Sequence, residues 1–153
     1  MTELLLSVPF AAQGAAMAID EGVYHRRRGL PRWERVGHPL DTLLFASCLL
    51  WLLCQRPNRA NLFVYLGLSL LSCVFITKDE PVHTRLCSAQ ESWLHAALFV
   101  LHPIVLGCAG WLWMFGRSTP WLAVQLALIC AFLVYQVLYW GPWNHKLTRS
   151  EHR

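Results

Sequence analysis

Long apolar runs separated by short polar segments form the dominant pattern along the chain. The runs cover about residues 4–21, 40–54, 62–77, 93–113 and 121–140. A helix rises about 1.5 Å per residue and needs about 20 predominantly apolar residues to cross a bilayer. The last two runs reach that length, and the first three, with 18, 15 and 16 residues, are shorter. The pattern predicts a single transmembrane domain over residues 1–153 with an all-α fold. It would be a polytopic integral membrane helix bundle of about five transmembrane helices, or four if the first is peripheral.

The polar segments between the runs carry turn and capping signals. Residues 25–41, HRRRGLPRWERVGHPLD, predict a polar loop or interfacial segment, with Pro39 in the first turn of the second helix. Asn58 or Asn61 is suited to cap the third helix, because a short polar side chain can accept a hydrogen bond from a free backbone N–H in the first helical turn. Residues 141–153 predict a short polar tail.

Composition excludes an ordinary soluble domain. Of the 153 residues, 56% are hydrophobic and only 14% are charged, and the mean hydropathy is +0.38. The net charge of +4 is modest, and most basic residues lie between apolar runs, where they suit lipid headgroups. No DNA-binding or RNA-binding motif accompanies them. The expected partner is therefore the lipid bilayer and not nucleic acid.

The six cysteines predict free thiols rather than disulfides. Inside a membrane-like segment cysteine behaves as a small hydrophobic residue, and five of the six fall within or at the ends of apolar runs: Cys48, Cys54, Cys73, Cys108 and Cys130. Cys87 lies in a polar segment instead. A packing role is favoured for it, and roles as a metal ligand or a redox thiol remain open.

Basic residues are distributed unequally between the two sides of a five-helix bundle. Ten of the 13 lysines and arginines would lie on the side of the first loop, the third loop and the C-terminal tail. Cytoplasmic loops carry an excess of lysine and arginine. We therefore expect a protein of the cell or inner membrane with its N-terminus outside and its C-terminus in the cytoplasm.

Acidic residues and histidines recur in pairs at the ends of the runs that share this cytoplasmic side. The pairs are Glu21–His25, His38–Asp41, Glu80–His83 and Glu91–His95. Partners three or four residues apart share one helix face, and ionisable groups at a membrane need partners, protons or a metal. We predict a metal site with the ligands Glu21, His25, Glu80, His83, Glu91 and His95. Four more residues would act as ligands, as groups that orient ligands or as proton carriers: His38, Asp41, Asp79 and His102.

Ordinary structural roles also account for several of these residues. Ser88-x-x-Glu91 matches a capping box, and Asp41 lies in a first helical turn, where the helix dipole favours an acid. Glu21 and Glu34 could instead pair with neighbouring arginines. The prediction of a metal or proton site therefore depends on the presence of four such pairs on one side and not on any single pair.

His102 differs from the other histidines because it lies inside an apolar run. At about 100° per residue, Glu91, His95 and His102 lie on one stripe of the fourth helix. A buried histidine bonded to helix backbone and a ligand or proton carrier are both compatible with this position.

Two resemblances follow from these residues. Carboxylate and histidine pairs on four helices resemble non-haem di-iron proteins, and membrane desaturases and hydroxylases also gather metal ligands on the cytoplasmic face. The spacing of Glu21, His25 and His38 is similar to the acid and two-histidine copper motif in the C subunit of particulate methane and ammonia monooxygenases. That resemblance covers about 18 residues, from position 21 to position 38, and implies a ligand trio.

The patterns favour a metal-dependent membrane oxidoreductase, although enzymatic activity itself stays open. Such a protein would use one or two iron ions, or copper, to oxidise a lipidic or quinone-like substrate, whereas zinc, which has no redox chemistry, would indicate hydrolysis. Three alternatives remain open: a metal-dependent membrane hydrolase, a metal or proton transporter that uses His102, and an accessory subunit of a larger membrane complex. So small a bundle is also compatible with a homo-oligomer.

Overall fold

The computed structural model describes residues 2–115 and 119–141 of the chain. Side chains are described within these ranges except at positions 2–4, 79, 82 and 119. All regular structure in the described part is helical, and no strand occurs there, which confirms the all-α prediction. The predicted polar tail lies outside the described residues beyond position 141.

The first helix changes its winding near its C-terminal end. α1 spans Thr2–Ile19 and continues directly into a π-helical segment, Asp20–His25, and a last turn, α2, Arg26–Arg28. Gly29 ends this helix with a φ of +77°, a conformation that glycine adopts without a steric penalty. Its N–H donates to the His25 carbonyl at 2.7 Å. The chain therefore turns sharply just after the π-helical segment.

Residues 25–41 are predicted to form a polar loop or interfacial segment, and the loop prediction is wrong for most of that length because most of these residues are helical. α3 spans Arg32–Cys54, so only Gly29–Pro31 separate it from α2. Pro31 precedes the helix with an extended backbone, and Pro39 lies inside α3 rather than in its first turn. Arginine is a good helix former, but it interrupts the apolar run by which the helix is predicted. The predicted helix therefore begins too late.

The third apolar run forms a capped α-helix that is followed by a 3₁₀ turn and a short helix. α4 spans Arg59–Phe75, and the Asn58 side chain accepts a hydrogen bond from the Asn61 N–H at 2.9 Å. This confirms Asn58 as the cap. A 3₁₀ turn, Ile76–Asp79, leads directly into the short helix α5, Glu80–Leu86.

The last two helices are long and apolar, with 26 and 22 residues. α6 spans Ala89–Met114, and the Ser88 hydroxyl accepts a hydrogen bond from the Glu91 backbone N–H at 3.3 Å. The Ser88 half of the predicted capping box is therefore confirmed. α7 spans Thr119–Trp140.

Within residues 2–115 and 119–141, four helical stretches are long and apolar enough to cross a membrane: α3, α4 together with α5, α6, and α7. The apolar windows of α3 and α6 are each 39% buried, against 11% for the other two stretches. In agreement, α3 packs on α4, α6 and α7, whereas α1 packs mainly on α6. α3 and α6 thus form the centre of the bundle, and α1 and α7 flank it.

α4 and α6 approach each other closely at Gly110. Tyr65 is buried against this glycine, and its hydroxyl donates a hydrogen bond to the Leu106 carbonyl at 2.6 Å. A Cβ atom at position 110 would lie 2.8 Å from the Tyr65 ring. Only glycine therefore leaves room for the ring at this contact.

Replacing Gly110 by alanine is expected to destabilise the bundle by about 1–3 kcal/mol, the usual cost of overpacking a tight core. Gly107→Ala is the matched control, because nothing lies within 4 Å of a Cβ added there on the same helix. Its stability should equal or slightly exceed that of the wild type. Unfolding by sodium dodecyl sulfate measures both variants, and equal stability of the two would contradict the close contact.

Candidate metal centre

Four histidines and four carboxylates converge at one end of the bundle. They come from the π-helical segment, the start of α3, α5 and the start of α6. We call this set the histidine–carboxylate cluster: His25, His38, His83, His95, Asp20, Glu21, Glu34 and Glu91. All are buried except the half-buried His38. Charged groups in such a setting need close partners, and the cluster provides them internally.

The π-helical segment turns two consecutive acids toward one imidazole. His25 Nδ1 lies 3.2 Å from Glu21 Oε2, and its Nε2 lies 3.2 Å from Asp20 Oδ2. In π-helical winding, hydrogen bonds run from i to i+5, and such turns occur frequently at functional sites. Asp20 also approaches His95 Nε2 at 3.0 Å through its other oxygen. It therefore bridges histidines on two helices.

The first turns of α3 supply Glu34 and His38. Glu34 is 0% exposed. One of its oxygens accepts a hydrogen bond from Arg28 at 3.0 Å, and the other lies 3.4 Å from His83 Nε2. The His38 ring lies one turn further along α3, with its centroid 4.7 Å from that of His25. α3 therefore connects the π-helical segment to α5.

α5 and α6 complete the cluster. The His83 ring stacks on the His95 ring, with centroids 4.0 Å apart. Glu91 lies one turn before His95 and accepts a hydrogen bond from Arg28 Nε at 3.1 Å. Since Arg28 also pairs with Glu34, a single guanidinium holds carboxylates of α3 and α6 together.

The ligand atoms form four overlapping groups. Within each group, one atom from every residue lies within 4.8 Å of the others. The groups are Asp20, His25, Glu91 and His95; Glu21, His25 and His38; Glu34, His38 and His83; and His83, Cys87 and His95. Each histidine belongs to two groups, so the groups close into a ring. A ring of shared imidazole and carboxylate ligands can hold one ion or two neighbouring ions.

Four buried ring nitrogens have no hydrogen-bond partner among the described residues: Nε2 of His25, both nitrogens of His83 and Nδ1 of His95. Of these, Nε2 of His25 and Nε2 of His83 lie 3.2 Å and 3.4 Å from the carboxylates of Asp20 and Glu34. An unpaired buried polar atom costs about 1–3 kcal/mol. Arg28 offsets part of the negative charge of the four carboxylates. The negative charge that is left favours protonated histidines or a bound cation. A metal ion would satisfy the unpaired nitrogens and the excess negative charge together.

Protons compete with a metal at His25 and Cys87. Burial alone would disfavour the imidazolium of His25, but the hydrogen bond with Glu21 and the charge of Asp20 raise its pKa above the ordinary value. Burial and the neighbouring Glu91 raise the pKa of the Cys87 thiol to about 12. A metal would therefore compete with a proton for His25 more than for an ordinary imidazole, and Cys87 is a poorer ligand than the imidazoles.

α7 positions the Glu21 carboxylate without entering any of the four groups. The Tyr135 hydroxyl donates a hydrogen bond to Glu21 Oε1 at 3.1 Å, and the Trp140 indole N–H donates to the same oxygen. The other Glu21 oxygen faces His25. These two donors fix the orientation of the carboxylate, as is common for groups around metal ligands.

A cavity of about 140 Å³ extends from the cluster into the bundle. Its wall includes Thr42, whose hydroxyl donates to Gln136 Oε1 at 2.7 Å, and apolar side chains such as Phe45. His102 also lines it and lies 2.9 Å from the Ser72 hydroxyl. Polar side chains therefore line the cavity beyond the cluster, as far as His102 in the middle of α6.

The structure brings five of the six predicted ligands together: Glu21, His25, His83, Glu91 and His95. Glu80 is exposed and belongs to none of the four groups. Of the accessory residues, His38 lies in two groups, whereas the described contacts of Asp41 and His102 are with Lys78 and Ser72. The side chain of Asp79 lies outside the described residues.

Sequence reasoning missed Asp20 and Glu34 as members of the cluster. Glu34-x-x-x-His38 repeats the spacing of Glu21–His25 and Glu91–His95, and this signal could have identified Glu34. Asp20 stands five residues before His25, a spacing that pairs side chains only where the helix is π-helical. No α-helical spacing rule would have found it.

Comparison with protein-family models, with curated proteins and with solved structures finds no match to this chain.

Proposed function

We propose that this protein is an integral membrane metalloprotein whose histidine–carboxylate cluster binds one or two transition-metal ions for oxidation chemistry. The observation that carries the proposal is the ring of four overlapping ligand groups, buried at one end of an apolar bundle. Headgroup contacts or helix caps would leave these side chains exposed and would not direct four imidazoles toward one another.

Iron is the metal that this ligand set suits best. Imidazole together with several carboxylates is typical of non-haem iron sites in helical bundles. Copper and zinc also accept imidazole, and zinc would support the alternative of a membrane hydrolase with an activated water. The metal, when bound, would supply the redox or Lewis-acid step, while Arg28, Tyr135 and Trp140 hold the carboxylates in place.

The cluster is proposed to face the cytoplasm. Seven of the 13 lysines and arginines lie in the described helix ends and turns on its side, against two at the junction of α3 and α4, which favours this orientation. Its ligands lie at the ends of the apolar helices, so a substrate dissolved in the bilayer could reach the cluster from the membrane. A lipidic or quinone-like substrate fits that location.

Metal analysis of detergent-purified protein tests the proposal. We expect one to two iron ions per chain by inductively coupled plasma mass spectrometry after expression with added iron. We also expect paramagnetic resonance signals that change between dithionite-reduced and air-oxidised samples. Stoichiometric zinc without a redox response would favour the hydrolase. Protein that remains free of metal after supply of iron, copper and zinc would exclude both functions.

A further inference from the structure

A second, larger cavity lies between α1 and α7, beside the cavity of the cluster. Its volume is about 390 Å³, within the range of small-molecule sites, about 300–1,000 Å³. Apolar and small side chains form most of its wall, and polar residues are few. Phe10 and Trp121 meet edge to face beside it, with ring centroids 6.2 Å apart. We call this cavity the α1–α7 groove.

The α1–α7 groove and the cluster cavity share part of their walls. The shared residues are Gln13, Met17, Phe45, Ile129 and Phe132. From the cluster outward, the lining therefore changes from charged groups to Thr42, Gln13 and Gln136, and then to an apolar surface. Such a gradient matches an amphiphile with its polar end toward the cluster.

α1 contacts α7 at one end of the groove, and the π-helical segment that follows α1 contacts α7 at the other. Phe10 contacts Trp121 at one end, and Tyr135 and Trp140 donate hydrogen bonds to Glu21 at the other. Between these contacts Gly14 is exposed, as are the other small residues of α1 on this surface, Ala11, Ala15 and Ala18. The groove therefore opens sideways, onto the surface where the bundle meets lipid.

We propose that the α1–α7 groove admits a single hydrocarbon chain from the bilayer and presents its polar end to the histidine–carboxylate cluster. The inference rests on the proposed function and narrows its substrate to an amphiphile with one long chain. A free fatty acid offers this chemistry, and one acyl chain of a phospholipid is the other source that the test distinguishes.

Gln13 marks the junction of the groove with the cluster cavity. Its side chain is buried, and Oε1 has no hydrogen-bond partner among the described residues. Such an acceptor inside an apolar wall is costly unless a ligand supplies a donor. A hydroxyl or a protonated carboxyl group at the polar end of the chain would supply it.

Gly14→Phe is the variant designed to fill the groove. Gly14 lines the groove, and a Cβ added there meets nothing within 4 Å, so the new side chain starts in open space. Gly67→Phe is the matched control, because Gly67 on α4 is exposed, has the same free space and does not line the groove. Ala18→Phe blocks the groove at a second position.

Photolabelling in vesicles tests the proposal. The wild type and the variants are reconstituted in phosphatidylcholine vesicles with stearic acid that carries a diazirine at its methyl end. In a second arm, the same group is placed on an acyl chain of phosphatidylcholine. Labelled peptides are identified by mass spectrometry, and the metal content of each sample is measured in parallel.

We expect saturable labelling of residues 10–18 and 121–132 that unlabelled stearic acid displaces. Gly14→Phe and Ala18→Phe should reduce it to the level of the lipid-facing surface of α4, and Gly67→Phe should not. The arm that gives this pattern identifies the source of the chain. Uniform labelling of all exposed helices, unchanged by Gly14→Phe in protein that retains metal, would overturn the inference. Groove labelling in metal-free protein would support the chain site and refute the proposed function.

Discussion

Replacing His95 by alanine is expected to lower metal affinity at least about 10-fold, the smaller end of the loss seen when residues that merely orient metal ligands are removed. His95 belongs to two of the four ligand groups and lies 3.0 Å from Asp20. Its loss therefore weakens the ring at two neighbouring positions. Mass spectrometric metal content and competition with a chelator measure the change.

Two variants serve as controls for His95→Ala. Glu80→Gln should retain the metal, because Glu80 is exposed and lies outside the ligand groups. His102→Ala should retain it as well, since His102 contacts Ser72 rather than a cluster residue. Loss of metal from Glu80→Gln with retention in His95→Ala would contradict the arrangement of the cluster. Loss from His102→Ala, in protein that remains folded, would extend the site into the membrane and favour a transport path.

Replacing Arg28 by alanine is expected to destabilise the metal-free protein by about 3–5 kcal/mol, the usual cost of removing one partner from a buried ion pair. Arg28 holds Glu34 and Glu91 at 3.0 Å and 3.1 Å, and the side chains of these two acids are only 0% and 4% exposed. Without the guanidinium, two carboxylates on adjoining helices would face each other. The free energy of unfolding by sodium dodecyl sulfate measures the effect.

Arg27→Ala is the matched control for Arg28→Ala. Arg27 is the preceding residue on the same helical turn but is exposed, so its replacement should change stability by less than about 0.5 kcal/mol. Equal destabilisation of the two variants would mean that the basic segment acts through its total charge. In that case the bridge between Glu34 and Glu91 would carry no special stability.

The helices were predictable because their apolar runs are long and their caps are local. Asn58 and Ser88 cap α4 and α6 through contacts three residues away, which the sequence displays directly. The start of α3 was not predictable in the same way. Its first turns at residues 32–39 contain two arginines and a proline and no apolar run, and they bring Glu34 and His38 into the cluster.

The candidate site was predictable where partners share one helix face. Glu91 and His95 are four residues apart and both point into the cluster. Other members depend on winding that sequence spacing does not reveal. Asp20 joins His25 through the π-helical segment. After the 3₁₀ turn, the short α5 directs His83 inward and leaves Glu80 exposed.

The π-helical segment also sets the rotational register of α1. Each residue of a helix turns the preceding segment by about 100°, so one residue more or fewer between Asp20 and His25 would rotate α1 by that amount relative to the cluster. Gln13 and Gly14 would then no longer face α7. The same six residues that gather the carboxylates around His25 thereby determine which side of α1 lines the groove. The rotation of α1 about its own axis, and not its composition alone, therefore links the histidine–carboxylate cluster to the α1–α7 groove.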